Sequence, residues 1–229
     1  MGGRCRVTVI LPWAVDNPCP HRRAALDWVA SRWKTTGHQV LVGEHVGPWC
    51  KAGAVADALP RATGDVLVIA DADVWCTNID EAINRVRSGA PWAIPHTRVH
   101  RLSQESTRLV LAGADPNPGM GHAERPYTGF PGGGIVVLPR RLYEEVPFDS
   151  RFVGWSGEDE SAALAWTCLA GQPWRGTHPL WHLYHPPQLR MSRRWGSPAA
   201  RALAARYRKA ARSPQAMRAI LDETRTVPA

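Results

Sequence analysis

The chain has 229 residues, 44% of them hydrophobic and 21% charged. That balance excludes a disordered chain, and the length suits one sizeable core or two small ones. The formal net charge is +8, but residues 190–229 hold ten of the 28 Lys and Arg and two of the 20 acids, so the body is balanced and the excess sits in the tail.

In chain order, residues 5–13 read as a strand stopped by Pro12. Ala25, Leu26, Val29 and Trp33 recur at helical spacing, which predicts a helix over 21–34. Gly37 breaks it before a strand over 38–44, and a helix at about 50–59 ends near Pro60. The run 65–70 is a buried strand. Asn78 with Glu81 three residues on has capping-box spacing and predicts a helix over 79–87, followed by a strand over 91–96. This alternation predicts an α/β fold: a mainly parallel sheet with helices on both faces, its strands apolar along their whole length.

Residues 97–133 break the rhythm. The clusters Asp115–Gly121 and Gly129–Gly134 are rich in turn formers, which predicts a long loop acting as a mobile lid. A strand over 134–139, a short helix near 140–146 and a longer one near 158–170 follow. Ser197-Pro198 and Ser213-Pro214 each put a capping Ser before a Pro at the first helical position. Two tail helices therefore start there, dividing the chain into a domain of 1–196 and a basic helical extension of 197–229. Leu203, Ala204, Tyr207 and Ala211 form a thin apolar stripe, predicted to pack on the body with the arginines outward. Those arginines fit contact with an anionic surface or a merely solvated face. The balanced body argues against nucleic acid as the main ligand.

No apolar run approaches the ~20 residues that span a bilayer. The N-terminus has no signal-peptide pattern. Cys5, Cys19, Cys50, Cys76 and Cys168 are odd in number and lack CxxC spacing, so they read as reduced thiols in a cytoplasmic protein.

The chemistry starts where the strand 65–70 runs into Asp71-Ala72-Asp73. In open parallel sheets, ligands bind beyond the carboxyl ends of strands. Strand alternation predicts that both carboxylates point to one side. Two close carboxylates repel unless a cation or hydrogen-bond donors compensate them. A divalent cation that also holds a phosphate satisfies this requirement, and loop-capping aspartates are the plainer alternative.

Two further segments narrow the choice. The stretch PGGGIVVLPRRLYEEVPFDSRFVGWSGEDESAAL resembles the C-terminal half of the galactosyltransferases and polypeptide N-acetylgalactosaminyltransferases, where a Gly-Gly strand leads through FDxxFxGWGGED to a catalytic helix. The N-terminal half resembles family 2-type GT-A glycosyltransferases, with a Pro-ended first strand and the pattern AxGDxLxxxDAD over residues 62–73. Together the resemblances cover about residues 5–190.

They imply a GT-A fold and a metal-dependent, inverting glycosyltransferase acting on a nucleotide-diphospho-sugar, most simply a UDP-sugar. Asp73 is then a ligand of Mn²⁺ or Mg²⁺, and Asp71 lies near the donor ribose and the metal. His182 and His185 have the spacing of the family's downstream ligand pair, so either or both complete the site. Asp159 matches the general base, with Glu158 beside it on the acceptor hydroxyl. Trp155 stacks on a sugar, and Gly132, Gly133 and Gly134 let the backbone approach the donor. Pro12, Glu44, Lys51 and Arg22 match donor-side positions, Lys51 and Arg22 as phosphate ligands. Ser156 and Asp57 depart from the pattern without removing a catalytic group. The acceptor, whether carbohydrate, lipid or protein, is left open.

Two other readings remain. A sugar nucleotidyltransferase wants a Gly-rich basic loop after the first strand, and LPWAVDNPCPHRR lacks it. A carbohydrate-binding protein without turnover suits the 11 Trp but has no need of DAD, ED and HxxH together.

Overall fold

The structure is a computed structural model that describes residues 6–155, 157–186 and 196–225. Its elements run β1 (Val7–Ala14), α1 (Pro20–Lys34), β2 (Gln39–His45), α2 (Lys51–Ala58), β3 (Val66–Ala70), β4 (Val74–Cys76), α3 (Ile79–Arg87), β5 (Ala93–Arg101), α4 (Gln104–Leu111), β6 (Tyr127–Thr128), β7 (Ile135–Pro139), α5 (Arg140–Glu145), α6 (Glu158–Ala170), β8 (Trp174–His182), α7 (Pro198–Ala210) and α8 (Pro214–Arg225). Ser156, Cys5, Arg190, Arg193 and Arg194 lie outside the described residues.

All eight strands join one sheet, ordered β2-β1-β3-β7-β5-β8-β4, with β6 beside β5. The α/β class and the helices on both faces are as the periodicity predicts. The sheet itself is mixed. β1 runs parallel to β2 and β3, and β5 parallel to β8, while β7 is antiparallel to both β3 and β5. Parallel neighbours need a crossover connection. β7 is reached from β5 through α4 and β6 and enters antiparallel to both of its neighbours.

Alternation divides the apolar runs between two cores. In β3, Leu67 and Ile69 face one core while Val66, Val68 and Ala70 face the other; in β7, Val136 and Leu138 oppose Ile135 and Val137. The first core is roofed by α2, α6, α7 and α8, the second by α1 and α3. The tail thus shares a core with the sheet. Leu203, Tyr207, Met217, Ile220 and Leu221 are buried there, at about 1.5–3 kcal/mol for each large aliphatic side chain. Ser197 caps α7 by accepting from the Ala200 N–H at 3.1 Å, as its Ser-Pro start predicts. Arg206 and Arg208 face outward, but Glu223 and Glu160 engage them.

Two local expectations are corrected, and one strand appears where none was predicted. Residues 97–133 are not one long loop: β5 continues to Arg101, α4 follows under a Ser103 cap, and Tyr127–Thr128 pairs with β5. Asn78 precedes α3 in a left-handed conformation, φ 61°, and makes no side-chain cap; its amide donates to Glu81 instead, at 3.4 Å. Strand β8 contains Gly176 and Pro179, turn formers that concealed it in the sequence. Among the described residues no helix is long and apolar enough to cross a membrane.

Candidate active site

Strand β3 stops at Ala70, and residues 72 and 73 form a turn before β4. Strand alternation therefore does not extend through the DAD segment, and the expectation that alternation points both carboxylates to one side is corrected. Each carboxylate enters its own cluster.

Asp71 is pinned to the start of β7. Its N–H donates to the Gly134 carbonyl at 2.8 Å, and the Gly134 N–H returns a bond to Asp71 Oδ2 at 3.2 Å. Lys51, the first residue of α2, places its Nζ 2.8 Å from Asp71 Oδ1 and 2.6 Å from Asp159 Oδ1. The lysine side chain is only 4% exposed. Burial alone would push its ammonium down, but Asp159 and Asp71 outweigh burial and hold it above its ordinary value.

Asp159 stands in the first turn of α6, behind Gly157 at φ 81°. Enclosure pushes its carboxyl up to about 7, against the pull of Lys51 and with help from the charges of Asp71 and Glu158. Glu158 is itself buried. The glycine loop lies directly on this turn: a Cβ on Gly132 would meet the Asp159 carbonyl oxygen at 2.2 Å, and one on Gly133 would stand 3.6 Å from Asp159 Oδ2. Gly132 is thus needed for contact with the turn of the candidate base, a closeness that only a missing side chain permits, whereas the Gly133 separation is ordinary contact and a Cβ on Gly134 would meet the Leu180 side chain at 2.5 Å instead.

The second cluster gathers Asp73, His182 and His185, whose ligand atoms all lie within 4.8 Å of one another. His182 ends β8, opposite Val74 in the antiparallel register, and the Leu183 N–H donates to the Asp73 carbonyl at 2.8 Å. His182 Nδ1 donates to the Leu183 carbonyl and His185 Nδ1 to the Pro186 carbonyl, each at 2.8 Å. A carbonyl only accepts, so both rings carry their proton on Nδ1 and turn an Nε2 lone pair inward. Burial pushes His182 down to about 4 and lowers His185 as well, so both rings are neutral at pH 7. Burial would raise the Asp73 carboxyl, but its cationic surroundings, including Arg22, prevail and hold it below its ordinary value. One carboxylate and two neutral imidazoles make a donor set that suits Mn²⁺ or another first-row divalent ion.

Arg22, in the first turn of α1, lies 3.4 Å from Asp73 and 3.1 Å from His185 Nε2. Its guanidinium also sits 4.8 Å from the Trp155 ring centre, and Trp155 stacks on Trp49 at 5.2 Å. Pro12 is buried in β1 opposite Gly43. Glu44 is exposed near the end of β2, its N–H bonded to Asp57 Oδ2 at 3.1 Å. Pro12 thus stands on the strand next to β3, and Glu44 on the edge strand beyond it.

Two further residues join the site that no motif marks. Trp49 backs Trp155. Arg101, the last residue of β5, reaches His182 Nε2 at 3.1 Å because the parallel register sets it opposite His182. That pairing is invisible until β8 is known. Cys19, Cys50, Cys76 and Cys168 are free thiols. Two clefts of about 400 and 230 Å³ lie away from both clusters, around Leu142 and Glu145.

No protein-family model matches the chain, and the search of curated proteins found no match. Among solved structures, the chain is similar to glucosyl-3-phosphoglycerate synthase from Mycobacterium tuberculosis. In its complex with phosphoglyceric acid the likeness has 15% identity and a TM-score of 0.43, over 80% of this chain and 74% of that one. In its complex with Mg²⁺ and uridine diphosphate the identity and TM-score are the same, over 99% and 81%.

Proposed function

We propose that the protein is a metal-dependent, inverting glycosyltransferase of GT-A type that moves a sugar from a nucleotide-diphospho-sugar, a UDP-sugar being the first candidate, to an acceptor hydroxyl. The observation that carries this reading is convergence. The DAD, ED and HxxH segments, far apart in the chain, meet as two adjacent clusters at one strand end, one with the donor set of a metal site and the other holding a carboxylate near pH 7.

Asp73, His182 and His185 would hold Mn²⁺ or Mg²⁺, which supplies Lewis-acid stabilisation of the leaving diphosphate. Asp159 accepts the proton of the acceptor hydroxyl as that oxygen attacks the anomeric carbon from the face opposite the leaving group. A base is required because a neutral hydroxyl is a poor nucleophile, and a carboxyl near 7 is matched to that work. Lys51 supplies the positive charge that keeps Asp159 ionised inside the site. Glu158 orients the acceptor, while Trp155 and Trp49 offer an aromatic platform for a sugar. Pro12 and Glu44 border the nucleoside side, and Gly133 lets the donor approach the base.

The test is a panel of nucleotide-sugars scored for hydrolysis and transfer, with Mn²⁺, with Mg²⁺ and with chelator. Turnover of one donor that disappears in chelator and returns with metal is expected. Full activity in chelator would overturn the metal assignment, and retention of the anomeric configuration would overturn inversion.

A further inference from the structure

The proposed chemistry leaves one buried polar side chain unused. His96, in β5, is fully buried, and among the described residues neither of its ring nitrogens has a hydrogen-bond partner. Burial, with the charge of Arg175, pushes the ring down to about 4. It is therefore neutral at pH 7 and carries one N–H and one lone pair, both unpaired. A buried polar group in that condition is costly, and its presence calls for an explanation.

Three features direct the ring at residues 129–134. The ladder between β5 and β8 shifts register on both sides of it, between Ile94 and His96 and again between His96 and Arg98. Such irregularities re-aim a side chain and gather next to active sites. His96 Nε2 then lies between the two ends of the glycine segment: a Cβ on Gly129 would stand 3.3 Å from it, and one on Gly134 3.4 Å. Those two ends are tied. The Gly129 N–H donates to the Thr97 carbonyl at 2.9 Å and the Gly129 carbonyl accepts from Arg175 at 3.3 Å, while Gly134 exchanges two bonds with Asp71. Between the ends, one backbone bond is present among the described residues, from the Gly133 N–H to the Phe130 carbonyl at 3.4 Å, and Phe130 stands 74% exposed. This loosely held middle is the part that lies on the turn of Asp159, through Gly132.

We infer that His96 is a positioning residue for this segment: when the donor occupies the site, a backbone group of residues 130–133 turns onto the unpaired ring nitrogens, and that bond fixes the segment against Asp159. The inference rests on the reading of Asp159 as the base and goes beyond it, because that reading leaves His96 idle. Glycine at 132 and 133 supplies the backbone freedom such a turn needs. The unpaired ring destabilises the resting protein and is satisfied in the bound one, so stability and activity should move in opposite directions when it is removed.

The experiment uses the full chain. His96→Leu removes both unpaired nitrogens at similar bulk. Its thermal midpoint should rise above that of the wild type, while kcat for transfer falls about tenfold and the donor KM stays within about twofold. His96→Gln keeps one donor and one acceptor group, so it should keep most of the transfer and show no such rise. Amide exchange gives a readout apart from turnover. UDP with Mg²⁺ should slow exchange over residues 129–134 in the wild type and in His96→Gln, and slow it much less in His96→Leu. A His96→Leu protein that transfers as well as the wild type would overturn the inference and leave Asp159 as the base. Loss of stability together with transfer would show that the ring is already hydrogen-bonded in the resting protein, which overturns the inference as well. A wild type that turns over no nucleotide-sugar and gains no protection from UDP and Mg²⁺ would overturn both the inference and the reading beneath it.

Discussion

Asp71 and Asp73 are two residues apart, yet they enter opposite kinds of electrostatic environment. Asp71 shares a buried ammonium with Asp159, so one fixed cation serves two acids. Asp73 faces two neutral imidazoles and the guanidinium of Arg22, so its positive charge is supplied by a long side chain that a metal ion can displace. The turn at residues 72 and 73 separates them by sending one carboxylate toward α2 and α6 and the other toward β8 and α1. On the proposed reading, one strand end carries both a site for an exchangeable cation and a candidate base beside a permanent one.

The largest effect should come from the exchangeable side. Asp73→Asn removes the only carboxylate among the three converging ligands, so Mn²⁺ binding and turnover should fall together to background, measured by titration and by a donor-hydrolysis assay. Retained metal dependence in that variant would show that the clusters do not divide as described.

Next in size is the base. Asp159→Asn should keep binding of metal and nucleotide-sugar but slow transfer by ~10²-fold or more, the scale of a lost general base. A parallel loss of donor affinity would place Asp159 on the binding side.

Lys51→Met probes the fixed cation through pH. Asp159 works as a base only when ionised, so kcat/KM should fall as pH drops through about 7 in the wild type. Lys51 lowers the Asp159 pKa, so removing it should shift the acidic limb upward by about one pH unit or more, with activity recovering at higher pH. An unchanged limb with a uniformly lower rate would assign Lys51 a packing role only.

The smallest effect comes from a third buried carboxylate that serves as a control. Asp149 is bound by Arg151 at 2.7 Å and by the Tyr207 hydroxyl at 2.8 Å, tying the FDSRF segment to tail helix α7. Tyr207→Phe removes one donor and leaves the other, so denaturant unfolding should show a loss of about 1 kcal/mol with transfer unchanged. A loss of transfer at undiminished stability would mean that the tail reaches the chemistry.

Much of the protein was legible from residue order alone. Periodicity located β1, α1, β2, α2, β3, α3, β7, α5, α6 and both tail helices, because each carries its own apolar repeat or its own punctuation, such as Pro12, Gly37, Pro60 and the Ser-Pro pairs. The family resemblance carried by DAD, ED and HxxH also named nearly all the residues that the fold assembles. Local sequence could not say that β7 enters antiparallel, that β8 exists, or that β5 runs to Arg101 beside it, since strand pairing is made by residues distant in the chain. The split between Asp71 and Asp73 belongs to the same class. A turn and a strand read alike over three residues, and only the packing of Lys51, Asp159 and the two histidines around that turn decides which carboxylate takes which cation. Arg101 is the plainest case. Nothing near it in sequence marks it, and its place beside His182 follows wholly from the register of two strands some eighty residues apart.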